Sequence, residues 1–149
     1  TDKTGPWLRE QIEAEGHVVI DHAIIADDIG AIQDRLQAWI ADPAIHAVIA
    51  TGGTGLTGRD VTPEAFRPIY DKEMEGFAAV FHQISFRSVG VSTIQSRATA
   101  GIAGGTYLFA IPGSMGGCRD AWDHILKAEF DRTHRPCNLV DLIPRLTER

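Results

Sequence analysis

The sequence predicts a three-layer α/β/α domain with helices packed on a mostly parallel sheet. Three observations predict it. Helical and strand periodicities alternate along the chain. Residues 44–51, a nearly continuous apolar run, show almost no polar alternation, as in a strand covered on both faces. Glycine-rich loops follow two strand candidates and lead into helix starts, the arrangement found at the carboxyl edge of α/β sheets. No repeat, low-complexity run or linker divides the 149 residues, so 1–149 is read as one domain.

The elements follow in order. Trp7, Leu8, Gln11, Ile12 and Glu15 keep helical spacing, and Gly16 stops the helix. His17 to Ala23 is rich in β-branched residues and is expected as a short strand. Asp27 or Asp28 caps a helix whose apolar face is Ile29, Ile32, Leu36, Trp39 and Ile40, and Asp42-Pro43 ends it. Ala44 to Thr51 is the buried strand. After the loop Gly52 to Asp60, Thr62-Pro63-Glu64 is read as a helix start with Thr62 as cap. Gly76-Phe77 opens a helix through Phe81 and Ile84, and Ser92 to Arg97 is a helical turn. Ala98 to Ala103 and Thr106 to Ile111 are strands around a Gly104-Gly105 hairpin turn. The last helix carries Cys118, Ala121, Trp122, Ile125 and Leu126 on one face, and the tail from Arg132 is irregular.

Composition removes several classes of function. The net charge of -6 argues against a nucleic-acid partner, which calls for a basic face. No apolar run is long enough to span a bilayer, so no membrane partner is expected. Cys118 and Cys137 form no C-x-x-C pair, which argues against structural zinc, and reduced thiols suit a cytoplasmic protein. None of the six histidines forms H-E-x-x-H. Thr1 to Gly5 is polar and does not read as a secretory signal. The chain opens without methionine, so the expectation is a processed, engineered or incomplete chain.

The most informative segment is Thr51-Gly52-Gly53-Thr54-Gly55-Leu56-Thr57-Gly58-Arg59-Asp60. Its glycines allow left-handed backbone and close approach of a ligand. Its amides can form an anion nest, with Thr54 and Thr57 as hydroxyl donors. A bare strand-to-helix turn needs only about two to six residues. The spacing Gly53-x-Gly55-x-x-Gly58 matches a dinucleotide fingerprint, but the helix start comes later, at Thr62-Pro63. No Walker A lysine is present, and an NAD(P)-dependent oxidoreductase is the weakest reading. Asp60 reads either as a cap or as a carboxylate beside bound phosphates. The second role calls for Mg²⁺, which takes one or two carboxylates plus phosphate oxygens. Asp27 sits in the comparable loop after the earlier strand candidate.

A second loop, Pro112-Gly113-Ser114, follows the strand ending at Ile111 and precedes a helix, whose N-terminus favours an anion. Ser114 either donates to a phosphate or caps the helix. Ser96-Arg97 adds a hydroxyl and a guanidinium, for a phosphate or for a surface ion pair. No Ser–His–Asp or Cys–His arrangement is recognisable. Amides, hydroxyls and carboxylates together favour phosphoryl or nucleotidyl transfer, where positioning and charge neutralisation carry catalysis.

Thr51-Gly52-Gly53-Thr54-Gly55 with Arg59-Asp60-Val61-Thr62-Pro63-Glu64-Ala65 resembles the MoaB/MogA family of molybdenum cofactor biosynthesis. So do Gly76-Phe77, Ser96-Arg97 and Pro112-Gly113-Ser114, over nearly the whole chain. Arg135-Pro136-Cys137-Asn138 brings it closer to MoaB. The resemblance implies a molybdopterin-binding fold and a homo-oligomer, either a trimer or a hexamer. It implies a molybdopterin adenylyltransferase, with ATP and molybdopterin as substrates and Mg²⁺ as cofactor. In that reaction the terminal phosphate of molybdopterin attacks the α-phosphorus of Mg-ATP, and pyrophosphate leaves. Asp60 and Asp27 match the family's acids as catalytic and metal-binding residues. Thr51, Gly52, Gly53, Thr54, Gly55, Glu64, Ser96, Arg97, Pro112, Gly113 and Ser114 would bind substrate. A non-catalytic, molybdopterin-binding MoaB-type oligomer is the second reading. Some members carry a different loop in place of Asp60 and are inactive; this chain keeps the acid. Members usually begin with a further strand ahead of the segment that Asp2-Lys3-Thr4-Gly5 resembles. That strand is not in this sequence, and it is expected upstream.

Overall fold

The computed structural model describes residues 2–149. Its elements are α1 (Thr4–Ala14), α2 (Ile29–Ile40), β1 (Ala47–Thr51), α3 (Thr62–Phe66), β2 (Lys72–Glu73), α4 (Glu75–Val89), β3 (Thr99–Ala103), β4 (Thr106–Ile111), α5 (Met115–Ala121) and α6 (Lys127–Glu129). A π turn, Trp122–Leu126, runs α5 into α6, and Gly90–Gln95 forms a 3-10 turn after α4. No helix among the described residues is long and apolar enough to cross a membrane.

The four strands lie in the order β1-β4-β3-β2. β1 runs parallel to β4, from Ala47 opposite Tyr107 to Thr51 opposite Ile111. β3 is antiparallel to both β4 and β2. The α/β class stands, but the described sheet is mixed rather than mostly parallel. The cause is local. Gly104 and Gly105 have φ of 55° and 87° between paired Ala103 and Thr106, and a two-residue turn with both φ positive returns the chain antiparallel. Two-residue β2 is too short for any periodicity to reveal.

β4 is buried along its whole length and faces apolar layers on both sides. Tyr107, Phe109 and Ile111 pack with Leu8 of α1, Phe77 and Phe81 of α4, and Trp122. Leu108 and Ala110 pack the other way, with Ile32 and Leu36 of α2 and Phe66 of α3. This is the three-layer arrangement, produced by the period-2 alternation of one strand. Phe109 meets Phe77 and Phe130 edge-on, with centroids 5.3 and 5.7 Å apart. The Tyr107 hydroxyl donates to the Leu139 carbonyl at 2.7 Å and ties the tail to the core. Burial pushes its pKa up to about 12, so it stays a donor at neutral pH.

Helix ends follow the sequence closely. Asp28 caps α2 by accepting from the Ala31 amide at 2.8 Å, and Gly16 turns left-handed after α1 at φ 86°. Thr62 differs from expectation. It is the first residue of α3 and not its cap, and its hydroxyl donates to the Gly52 carbonyl instead.

The strand expected at His17 to Ala23 does not form. Among the described residues, no backbone–backbone hydrogen bond reaches 18–25. A strand needs a neighbour for its amides and carbonyls, and none lies alongside. A cavity of about 910 Å³ separates this segment from β1. Tyr107 N–H bonds the His46 carbonyl and Gly52 N–H bonds that of Ile111, so His46 and Gly52 face β4. By the alternation of a parallel ladder, Ala47, Ile49 and Thr51 turn their backbone groups toward the cavity.

The core predicts its own sensitivity. Phe109→Ala removes the ring shared by both aromatic neighbours and is expected to cost about 3–5 kcal/mol. Urea denaturation followed by circular dichroism measures it, and a loss below about 1 kcal/mol contradicts this packing.

Candidate functional site

Because β1 and β4 are parallel neighbours, their carboxyl ends share one edge of the sheet. Each is followed by a glycine loop and a helix start. The two loops touch: a Cβ on Gly113 would lie 3.0 Å from the Gly52 Cα. The Gly52 amide also donates to the Ile111 carbonyl at 2.9 Å. Thr4, at the start of α1, donates its hydroxyl to the Gly113 carbonyl at 2.8 Å. Three segments distant in sequence therefore meet at this edge.

The first loop bends through Gly52 and Gly53, at φ 103° and 69°. A side chain on Gly53 would also strike the Thr62 hydroxyl. Thr62 closes the bend from the other side: its amide donates to the Gly53 carbonyl at 3.1 Å and its hydroxyl to the Gly52 carbonyl at 2.9 Å. Thr51 ends β1, and Thr54 is buried with its carbonyl accepting from the Arg97 amide at 2.7 Å.

Asp60 is half-buried at the far end of the loop. Its Oδ2 accepts from the Thr57 amide at 2.9 Å and the Thr57 hydroxyl at 2.8 Å. The Thr57 hydroxyl bond, then the amide bond, hold its carboxyl below the usual aspartate range. Asp60 is therefore an ionised, oriented carboxylate. Among the described residues, no Lys, Arg or His forms an ion pair with it.

Arg97 is turned into the loop. Its Nε donates to the Gly55 carbonyl at 2.8 Å and its Nη2 to the Asp60 carbonyl at 2.9 Å. Both terminal nitrogens also bond the carboxylate of Glu64, in the first turn of α3. The Arg97 hydrogen bond holds the Glu64 carboxyl below the usual glutamate range. Ser96 lies beside it, and its Oγ is buried without a hydrogen-bond partner.

On the second loop, Ser114 caps α5 by accepting from the Gly117 amide at 3.2 Å, which leaves its hydroxyl hydrogen to donate. Pro112 and Gly113 complete that loop. Asp27 is exposed ahead of α2, and no hydrogen bond or ion pair among the described residues joins it to Asp60. It lines the cavity that reaches Gly52 and Gly53. No group of three or more His, Cys, Asp or Glu able to hold a metal occurs among the described residues. A hard cation at Asp60 would therefore take most of its oxygen ligands from water and from a phosphorylated substrate.

The structure thus gathers Thr51 to Gly55, Asp60, Glu64, Arg97 and the 112–114 loop, with Asp27 on the cavity beside the glycine bend and not bonded to Asp60. The parts played here by Thr4 and Thr62 escape a sequence reading. Thr62 gives only a helix signal there. Thr4 reaches Gly113 across 109 positions, with no local pattern to announce it.

Comparison with known proteins places the chain in a family. The model of a probable molybdopterin binding domain matches residues 1–132. Molybdenum cofactor biosynthesis protein B of Escherichia coli (strain K12) is 47% identical over 137 residues, 92% of this chain and 81% of that protein. A crystal structure of a Molybdenum cofactor biosynthesis protein B superposes with a TM-score of 0.88 at 35% identity, covering 100% of this chain and 88% of that one. MoaB from Thermus thermophilus superposes with a TM-score of 0.80 at 27% identity, covering 100% of this chain and 87% of that one. The chain belongs to the MoaB/MogA family and carries its molybdopterin-binding type of domain.

Proposed function

We propose that the chain is a molybdopterin adenylyltransferase acting in molybdenum cofactor biosynthesis. One observation carries the reading. An ionised carboxylate, Asp60, is oriented by Thr57 without a pairing cation, at the end of a glycine loop that touches a second glycine loop. The names of the relatives, Molybdenum cofactor biosynthesis protein B, support the broader role.

In the proposed reaction a terminal phosphate oxygen of molybdopterin forms a bond to the α-phosphorus of ATP. The bond between the α- and β-phosphates breaks, and pyrophosphate takes its electron pair. The amides of Gly53 and Gly55 and the loop Pro112-Gly113-Ser114 hold phosphate oxygens around the bend at Gly52, assisted by Thr51, Thr54, Ser96 and Ser114. Asp60 would hold Mg²⁺, with Asp27 as the second acid; an ionised carboxylate without a pairing cation fits such an ion. When bound, Mg²⁺ supplies the positive charge that offsets the phosphates. A homo-oligomer, trimer or hexamer, belongs to the same proposal. The exposed apolar row Phe86, Val89, Val91 and Ile94 offers a surface for it.

The direct test incubates the protein with Mg-ATP and molybdopterin and looks for adenylylated pterin and pyrophosphate. Both products are expected; binding without product supports the non-catalytic reading instead. Asp60→Asn is expected to lower turnover by about a hundredfold or more while leaving the circular dichroism spectrum unchanged. Unchanged turnover removes the role given to Asp60.

The Thr57 bonds also set a pH dependence. The folded pKa of Asp60 lies below its unfolded value, so the stabilised carboxylate is present above the unfolded pKa. It is lost as pH falls through the folded pKa. The acid limb of kcat/KM is expected below the usual aspartate range. Thr57→Val removes the hydroxyl donor and should move that limb upward; a limb that stays in place rejects the assignment.

A further inference from the structure

The sequence offers Arg97 as a partner for phosphate, and its geometry assigns it other work. We infer that Arg97 and Glu64 form a positioning pair that fixes the loop carrying Asp60, and that Arg97 is not itself a phosphate ligand. This rests on the reading of Asp60 given above, but the loop contacts stand without it.

The hydrogen-bond pattern carries the inference. Within residues 55–60, the amide of Asp60 bonds the Thr57 carbonyl, and Thr57 bonds the Asp60 carboxylate. Among the described residues, every hydrogen bond from this segment to the rest of the chain ends on Arg97, through the Gly55 and Asp60 carbonyls. The guanidinium thus ties the two ends of one loop to one plane. Leu56 and Arg59 lie between those ends and are exposed.

The donor inventory supports the same conclusion. A guanidinium has about five N–H donors in a fixed fork. Here Nε serves Gly55, Nη2 serves Asp60 and Glu64, and Nη1 serves Glu64, which leaves a single N–H on Nη1. Its charge is matched by Glu64. With Asp60 added, the group carries net negative charge and repels an anion. A guanidinium spent in this way holds geometry and offers little to phosphate.

The pair also joins separate parts of the fold. Glu64 rides on the first turn of α3, and Arg97 stands just before β3. The Arg97 amide adds a bond to the Thr54 carbonyl at 2.7 Å, anchoring the loop where it leaves the glycine bend. The position of Asp60 is thereby set by the sheet and by the next helix. Lysine cannot reproduce this, because a single ammonium cannot reach two carbonyls and a carboxylate in one plane.

The test uses the 149-residue protein and two readouts. Amide hydrogen exchange of residues 55–60, without ligand, is compared for the wild type, Arg97→Lys, Glu64→Gln and Arg59→Ala. Arg97→Lys is expected to raise exchange about tenfold or more, Glu64→Gln by less, and Arg59→Ala not at all. Turnover with Mg-ATP and molybdopterin is the second readout. Arg97→Lys should lower kcat by about ten- to a hundredfold with KM for ATP within about twofold, as displacement of a positioned group does. Unchanged exchange together with a KM rise of about tenfold or more makes Arg97 a phosphate ligand and overturns the inference. If Arg97→Lys does not fold, exchange in Glu64→Gln decides alone: faster loop exchange supports the pair and unchanged exchange rejects it. If the wild type gives no product, the exchange result still stands, and only the proposed activity fails.

Discussion

The parallel pairing of β1 with β4 is the constraint on which the rest of the site depends. Parallel neighbours end on the same side, so both glycine loops start from one edge. The register then brings them into contact, with the Gly52 amide on the Ile111 carbonyl and Gly113 against Gly52. β4 can occupy this central place because both of its faces are apolar. Tyr107, Phe109 and Ile111 fill one layer, and Leu108 and Ala110 the other. Hydrophobic burial on both sides fixes the strand, and the strand fixes the loops.

Charge follows from that framework. The backbone at the edge offers donors to an anion, yet the charged side chains that converge there are two acids, Asp60 and Glu64, and one arginine, Arg97. Glu64 is balanced by Arg97, and Asp60 is held by a threonine, which orients it without neutralising it. Under the proposed function, phosphates would enter such a site together with positive charge from outside.

Much of this is legible in the chain. The Gly104-Gly105 turn, the Asp28 cap, the stop at Gly16 and the Thr51 to Asp60 loop all depend on local residue chemistry, and each stands where local chemistry puts it. What escapes depends on neighbours. His17 to Ala23 has strand composition but lacks a partner at hydrogen-bonding distance among the described residues, and composition cannot supply one. The direction of β3 is hidden in the meaning of its hairpin turn: two glycines between strands require an antiparallel return. The bond from Thr4 to Gly113 and the pairing of Arg97 with Glu64 cross long stretches of chain, and no spacing rule reaches that far.

Among the described residues, β1 is bonded on one side only. Within these residues β4 is paired on both sides, while β1 borders a cavity lined by Leu8, Ile32 and Leu36. Local opening begins where backbone groups lack protein partners, and the first glycine loop starts from β1. A molecule seated in the loop would brace the strand as well, so resistance to heat becomes a gauge of occupancy that needs no chemical turnover.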